Sequence, residues 1–142
     1  MATRSAIVEL TKEGVFRGIY CHNDGYPEYN GKMLVNYYNS QEKVSELISL
    51  GSISSLDREV KPLEGQEHSF DERASGVTVA YFRDRGEPLE YTQTIVGDTL
   101  REVAGKIDYA YLYLFKDGKW FLVQDEIENA KLVDDVLFEL EK

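Results

Sequence analysis

The chain reads as an α+β protein: an antiparallel or mixed sheet containing two hairpins and covered by three to four helices. Three observations predict this. Two runs of alternating apolar residues meet across glycine-containing turns, one near each end of the chain. Helical stripes lie between the hairpins and after the second. At 142 residues and 42% hydrophobic side chains, the sequence fits one domain spanning 1–142, able to bury a core without disulfides or structural metals.

The first strand places Ala6, Val8 and Leu10 on one side and meets a second, Val15 to His22, across Thr11-Lys-Glu-Gly14. Gly14 suits the left-handed conformation that closes such a loop. After Asn30, the residues Met33, Leu34, Tyr37 and Tyr38 fall on one helical face. Asn39, with Glu42 three residues on, reads as the cap of a second helix. Val44, Leu47 and Ile48 form its stripe and Gly51 its stop. Residues 52–75 carry serines, Pro62, Gly65 and dense charge that break every periodicity, so a long loop is expected there, placed to act as a lid. A strand from Val77 to Phe82 follows and ends in the charged turn Arg83-Asp-Arg-Gly86, with a weaker strand near Tyr91 to Val96.

Asp98 or Thr99 can cap a third helix that buries Leu100, Val103, Ala104 and Ile107, with Gly105 positioned to cut it short. Tyr109 to Phe115 and Lys119 to Gln124 flank Lys116-Asp117-Gly118 as the second hairpin. The last helix is expected from Asp125, burying Leu132, Val133, Val136, Leu137 and Leu140.

Sixteen basic against twenty-six acidic residues give a formal charge of −10, which opposes nonspecific binding to nucleic acid and to anionic membrane. No apolar run is long enough to span a bilayer, and the N-terminus lacks the apolar core of a secretory signal, so the expected location is the cytosol. The single cysteine, Cys21, allows no intramolecular disulfide.

The stretch Gly18-Ile-Tyr-Cys-His-Asn-Asp-Gly-Tyr-Pro packs a strand end, a turn and several reactive side chains together. Tyr20 and His22 share one face of a strand, and Asn23-Asp24-Gly25 supplies turn chemistry. A thiol–histidine pair is conceivable only if His68, with Asp71, meets Cys21 in space, because neighbouring strand residues point to opposite faces. Two histidines 46 residues apart show no compact zinc spacing, although His22 with Asp24, or His68 with Asp71 and Glu72, offer mixed donors. No glycine pattern marks a nucleotide-binding loop, and nothing in the spacing requires a cofactor. Aromatic platforms remain in Tyr20, Tyr26, Tyr29 and Phe82, with Arg17, Lys32, Arg83 and Arg85 as cations for an anion.

Four segments carry a resemblance: Gly18-Ile-Tyr-Cys-His-Asn-Asp-Gly-Tyr-Pro, Leu47-Ile-Ser-Leu-Gly-Ser-Ile-Ser-Ser-Leu56, His68-Ser-Phe70 and Val77-Thr-Val-Ala-Tyr-Phe-Arg-Asp-Arg-Gly-Glu87. Across roughly residues 3 to 87 they resemble a family of small phage and prophage proteins of uncharacterised function, differing at Asn23, where the family favours an aromatic. The resemblance implies an accessory protein that counters host defence by binding a host factor or sequestering a signalling nucleotide. The expected function is therefore non-enzymatic binding of a host protein or a small anionic, nucleotide-like ligand through Tyr20, His22, Asp24, Tyr26, Arg83 and Arg85. One alternative is an acidic mimic of nucleic acid that uses Asp134, Asp135, Glu139 and Glu141 against a basic nuclease or effector. Another is a hydrolase or nuclease using His22 and His68. Exposed aromatic strands would also allow subunits to pair.

Overall fold

The N-terminal hairpin forms as its turn chemistry dictates. The computed structural model, which describes residues 2–88, 92–124 and 129–140, pairs β1 (Ser5–Leu10) antiparallel with β2 (Phe16–Cys21). The connecting loop is closed by Gly14 N–H donating to the Thr11 carbonyl at 3.0 Å, with Gly14 at φ 82°. The second hairpin, β6 (Tyr111–Lys116) and β7 (Lys119–Val123), turns through Asp117 and Gly118, both at positive φ. β6 joins β1 in parallel, which makes the sheet mixed.

Between the hairpins run a π-helical turn (Pro27–Gly31), α1 (Lys32–Tyr37), α2 (Gln41–Ile48), β3 (Ile53–Ser55), β4 (Val79–Ala80), α3 (Tyr81–Arg85), β5 (Ile95–Gly97) and α4 (Leu100–Ala104). β8 (Lys131–Leu132) and α5 (Val133–Leu140) complete the chain. The strand order is β4-β3-β2-β1-β6-β7-β8, with β5 also against β2. This is the α+β mixed sheet with two hairpins that the sequence predicts.

Both faces of the central strands are buried. Ile7, Ile19, Tyr113, Phe115 and Leu122 pack under α1, α2 and α5, while Ala6, Val8, Leu112, Leu114 and Val123 pack under α4. Opposite the Ala6, Val8 and Leu10 side of β1, Ile7 and even Glu9 are fully buried as well. Glu9 is held there by Arg17 Nη1 at 2.7 Å, Gln41 Nε2 at 2.6 Å and Ser45 Oγ at 2.5 Å, which fasten α2 to the sheet. Across the sheet, Gly18 lets α4 settle close, since a Cβ there would lie 2.8 Å from Val103 Cγ1.

Other expectations shift. The cap of α2 is Ser40, whose Oγ accepts the Lys43 N–H at 3.2 Å, and not Asn39. Tyr38 is buried with its hydroxyl donating to the Asp57 carbonyl at 2.6 Å, whereas Tyr37 is 46% exposed. The expected strand Val77 to Phe82 shortens to β4 and gives way to α3, because the Asp84 carboxylate reaches back to the Ala80 N–H at 2.7 Å and winds the chain into a turn. Within residues 52–75, Ile53–Ser55 is a strand, bridging β2 and β4. Thr99 caps α4 as expected, accepting the Glu102 N–H at 3.1 Å, and the helix stops before Gly105. The last helix begins at Val133; Asp125 and Glu128, like Tyr91, lie outside the described residues.

Aromatic-rich β6 and β7 lie inside the sheet, which ends at the two-residue strands β4 and β8. The other edge among the described residues is β5, three residues long, with Val96 exposed. No helix among them is long and apolar enough to cross a membrane.

Candidate functional site

The Cys21–Gly31 segment is built as a joint. Asp24 takes a left-handed φ of 57°, Gly25 N–H donates to the Thr3 carbonyl at 2.8 Å, and the Tyr113 hydroxyl donates to the Gly25 carbonyl at 2.6 Å. Beneath the turn the Asn30 amide, fully buried, donates to Ser5 Oγ, Cys21 Sγ and the Asn23 carbonyl at 3.2–3.4 Å. Its Oδ1 has no hydrogen-bond partner among the described residues. Cys21 is fully buried, and that burial pushes its thiol up to about 11, the opposite of the lowered value that an activated thiol needs.

Tyr20 and His22 meet as the strand period requires, with the hydroxyl and Nδ1 2.7 Å apart. Asp24 and Tyr26 form their own pair, the phenol donating to Asp24 Oδ1 at 3.0 Å. Beside Tyr20 a cleft of about 220 Å³ opens, lined also by Ser52, Gln93, Lys106 and Asp108.

The two arginines have different fates. Arg83 turns inward: its guanidinium donates to the Val60 carbonyl at 2.6 Å, the Thr78 carbonyl at 2.7 Å, and Asp84 through Nε at 2.8 Å and Nη2 at 3.0 Å. Four of its five N–H donors are thus engaged within the fold, which sets it apart from Arg85. Arg85 stays half-exposed, with its guanidinium 4.9 Å from the centre of the Phe70 ring and 3.8 Å from Glu87. Arg73 lies at the same 4.9 Å from that ring and donates Nε to the Phe70 carbonyl at 3.0 Å. Phe70 in turn packs on Tyr81 at 5.9 Å between centroids. Burial raises the Tyr81 phenol, against a hydrogen bond with Ser54, and the nearby Tyr20 phenol adds to the rise. Tyr81, Phe70, Arg73 and Arg85 thus form one aromatic and basic cluster at α3, after β4, and Tyr20 with His22 stands on β2, on the other side of β3 from β4. Phe70, Arg73 and Tyr81 were missed in the sequence because their proximity depends on how residues 56–78 fold back.

That return is fixed by His68. Its Nδ1 accepts the Ala74 N–H at 2.9 Å, so Nε2 carries the proton and donates to Asp84 Oδ2 at 3.1 Å. The His68 and Asp84 side chains are 1% and 3% exposed. The expected free lid at 52–75 is accordingly a tethered segment. Of the two histidines in the hydrolase reading, His68 is engaged by Asp84 and the Ala74 N–H, and His22 by the Tyr20 hydroxyl. Asp71 and Glu72 are exposed, and no group of three or more His, Cys, Asp or Glu among the described residues is placed to hold a metal.

On α5, Asp134, Asp135 and Glu139 are exposed, interleaved with Phe138 at 65% and Leu140 at 51% exposure; Glu141 lies outside the described residues. No family model, curated protein or solved structure matches the chain.

Proposed function

We propose that this chain is a non-enzymatic binding protein that captures a small anionic, nucleotide-like ligand on the cluster formed by Tyr81, Phe70, Arg73 and Arg85. The observation that carries the reading is the placement of two guanidiniums, Arg73 and Arg85, each 4.9 Å from the Phe70 ring in a chain of formal charge −10. Arginine planes and aromatic rings together recognise a base by stacking and a phosphate by charge-assisted hydrogen bonds. The setting suggested by the phage-type segments is removal of a host signalling nucleotide, which would blunt a defence response.

Isothermal titration with adenosine monophosphate, adenosine and inorganic phosphate tests the reading. The monophosphate is expected to bind most tightly, and Arg73→Ala with Arg85→Ala to weaken it at least tenfold while the melting temperature stays within a few degrees. Unchanged affinity in the double variant would refute the site.

A second reading is favoured by the exposed carboxylates Asp134, Asp135 and Glu139 on α5, which suit a basic protein partner. Salt separates the two: contacts through exposed carboxylates weaken steeply with ionic strength, stacking much less.

A further inference from the structure

The face of the sheet that carries α4 holds a larger cavity, of about 520 Å³, bounded by Phe16, Leu100, Ala104, Tyr109, Leu112 and Val123. α4 ends at Ala104, and Ala104 with Gly105, the smallest residues of the lining, bound the cavity together with Leu112 and Val123. A volume in the range of roughly 300–1,000 Å³ with apolar walls and few polar groups is what small-molecule sites share. Two of the walls are aromatic, Phe16 and the 38%-exposed Tyr109, which favours a flat ring over an aliphatic chain.

The rim bears on the charge of the occupant. Asp98 and Arg101 line it, one residue of each sign, and the Asp98 N–H is bonded to Glu102 Oε2 at 3.2 Å. The rim cation, Arg101, is engaged in interactions of its own. With one residue of each sign at the rim neither charge is favoured locally, an anion also meets a chain of formal charge −10, and an N–H or O–H donor has the Asp98 carboxylate as its acceptor. We propose that this cavity is a second binding site, for an uncharged planar aromatic molecule whose hydrogen-bond donor is received by Asp98. Its ligand class differs from the anion assigned to the cluster, and its site shares no residue with it.

The test is methyl-detected NMR on the full chain labelled at Ile, Leu and Val, titrated with indole, 1-methylindole and indole-3-acetate. Indole is expected to give saturable shifts at Leu100, Leu112 and Val123, leaving Leu47 and Ile53 in the opposite core unmoved. Removing the donor in 1-methylindole should weaken binding several-fold, and indole-3-acetate should weaken it further. Ala104→Phe, which fills the cavity, should weaken indole at least tenfold; should that variant not fold, Tyr109→Ala at its exposed wall should weaken indole in the same direction. Absence of saturable shifts up to the solubility limit, or equal affinity in the wall variants, would overturn the site. Equal affinity for indole and 1-methylindole would overturn the part given to Asp98. Loss of nucleotide binding in the Arg73 and Arg85 variants has no bearing on these readouts, so the two proposals fail separately.

Discussion

Replacing Asp84 with alanine is the sharpest probe of how the candidate cluster is held. The carboxylate, 3% exposed, accepts from His68 Nε2, the Ala80 N–H, and Arg83 Nε and Nη2, all between 2.7 and 3.1 Å. Truncation leaves the buried His68 N–H and the Ala80 N–H without their acceptor and strips Arg83 of its counter-charge. Removing one partner of such a buried pair costs about 3–5 kcal/mol. Because a domain of this size is stable by only about 5–15 kcal/mol, Asp84→Ala is expected to bring the protein close to unfolding. His68→Ala is milder, losing one bond to Asp84 and the acceptor of the Ala74 N–H, and should cost about 1–3 kcal/mol. Urea unfolding at neutral pH reads both values, and the double variant should cost less than their sum, since the two residues share a bond. Hydrogen exchange adds a local readout: Ala74 should lose protection in both variants while β1 and β6 keep theirs. A loss below about 1 kcal/mol for Asp84→Ala, or unchanged protection at Ala74, would show that residues 56–78 are held by something else.

Three further outcomes follow from the same contacts. Burial alone would raise the Asp84 carboxyl, but the Arg83 hydrogen bond, the Ala80 N–H and the Arg83 charge outweigh it and hold the group below its ordinary 3.8; its stabilisation is therefore present above that pH and should fade as pH falls below it, read as a drop in melting temperature. Cys21, raised by burial from 9.0 to about 11, should resist thiol reagents until urea is added, and its contribution of about 2–3 kcal/mol should be lost as pH climbs from 9 through 11; rapid labelling of the native protein would contradict this. Gly51→Ala combines a φ of 78° with a Cβ that would overlap the Thr92 carbonyl, so a loss above about 2 kcal/mol in urea unfolding is expected, and a neutral effect would show that the 51–52 and 92–93 backbones separate easily.

What the sequence made legible was local. The Gly14 and Asp117-Gly118 turns, the Thr99 cap and the stripe of α2 depend on neighbours within a few residues, and all appear in the structure. Burial of β1 on both sides was not legible, since Glu9 in an alternating strand reads as solvent-facing until Arg17, Gln41 and Ser45 converge on it. Likewise Val77 to Phe82 has strand composition, yet one carboxylate, Asp84, rewinds its second half into α3. Tyr20 with His22 was readable because a strand has period 2. Arg73 beside Arg85 was not, because they come together only after the chain between them folds back around His68 and Phe70.

A common physical cause links these misses. β3 and β4 contribute only three and two residues of ladder, so the long path from Ile53 to Arg85 has few strand hydrogen bonds to satisfy its backbone. Buried N–H and C=O groups must still be paired, and here side chains do the pairing: Asp84 for Ala80, His68 for Ala74, Arg83 for Val60 and Thr78, Asn23 for Ser54, Tyr38 for Asp57. The residue types best suited to that work are also those that look reactive in a sequence, which is why Cys21, His68 and Arg83 drew attention although each is engaged within the fold. Side chains left at the margin of the network, Tyr20, His22, Phe70, Arg73, Tyr81 and Arg85, have contacts that a ligand can share or replace without unfolding the chain. The proposed ligand site uses this margin, so substitutions inside the network should register first as lost stability and those at the margin first as lost binding.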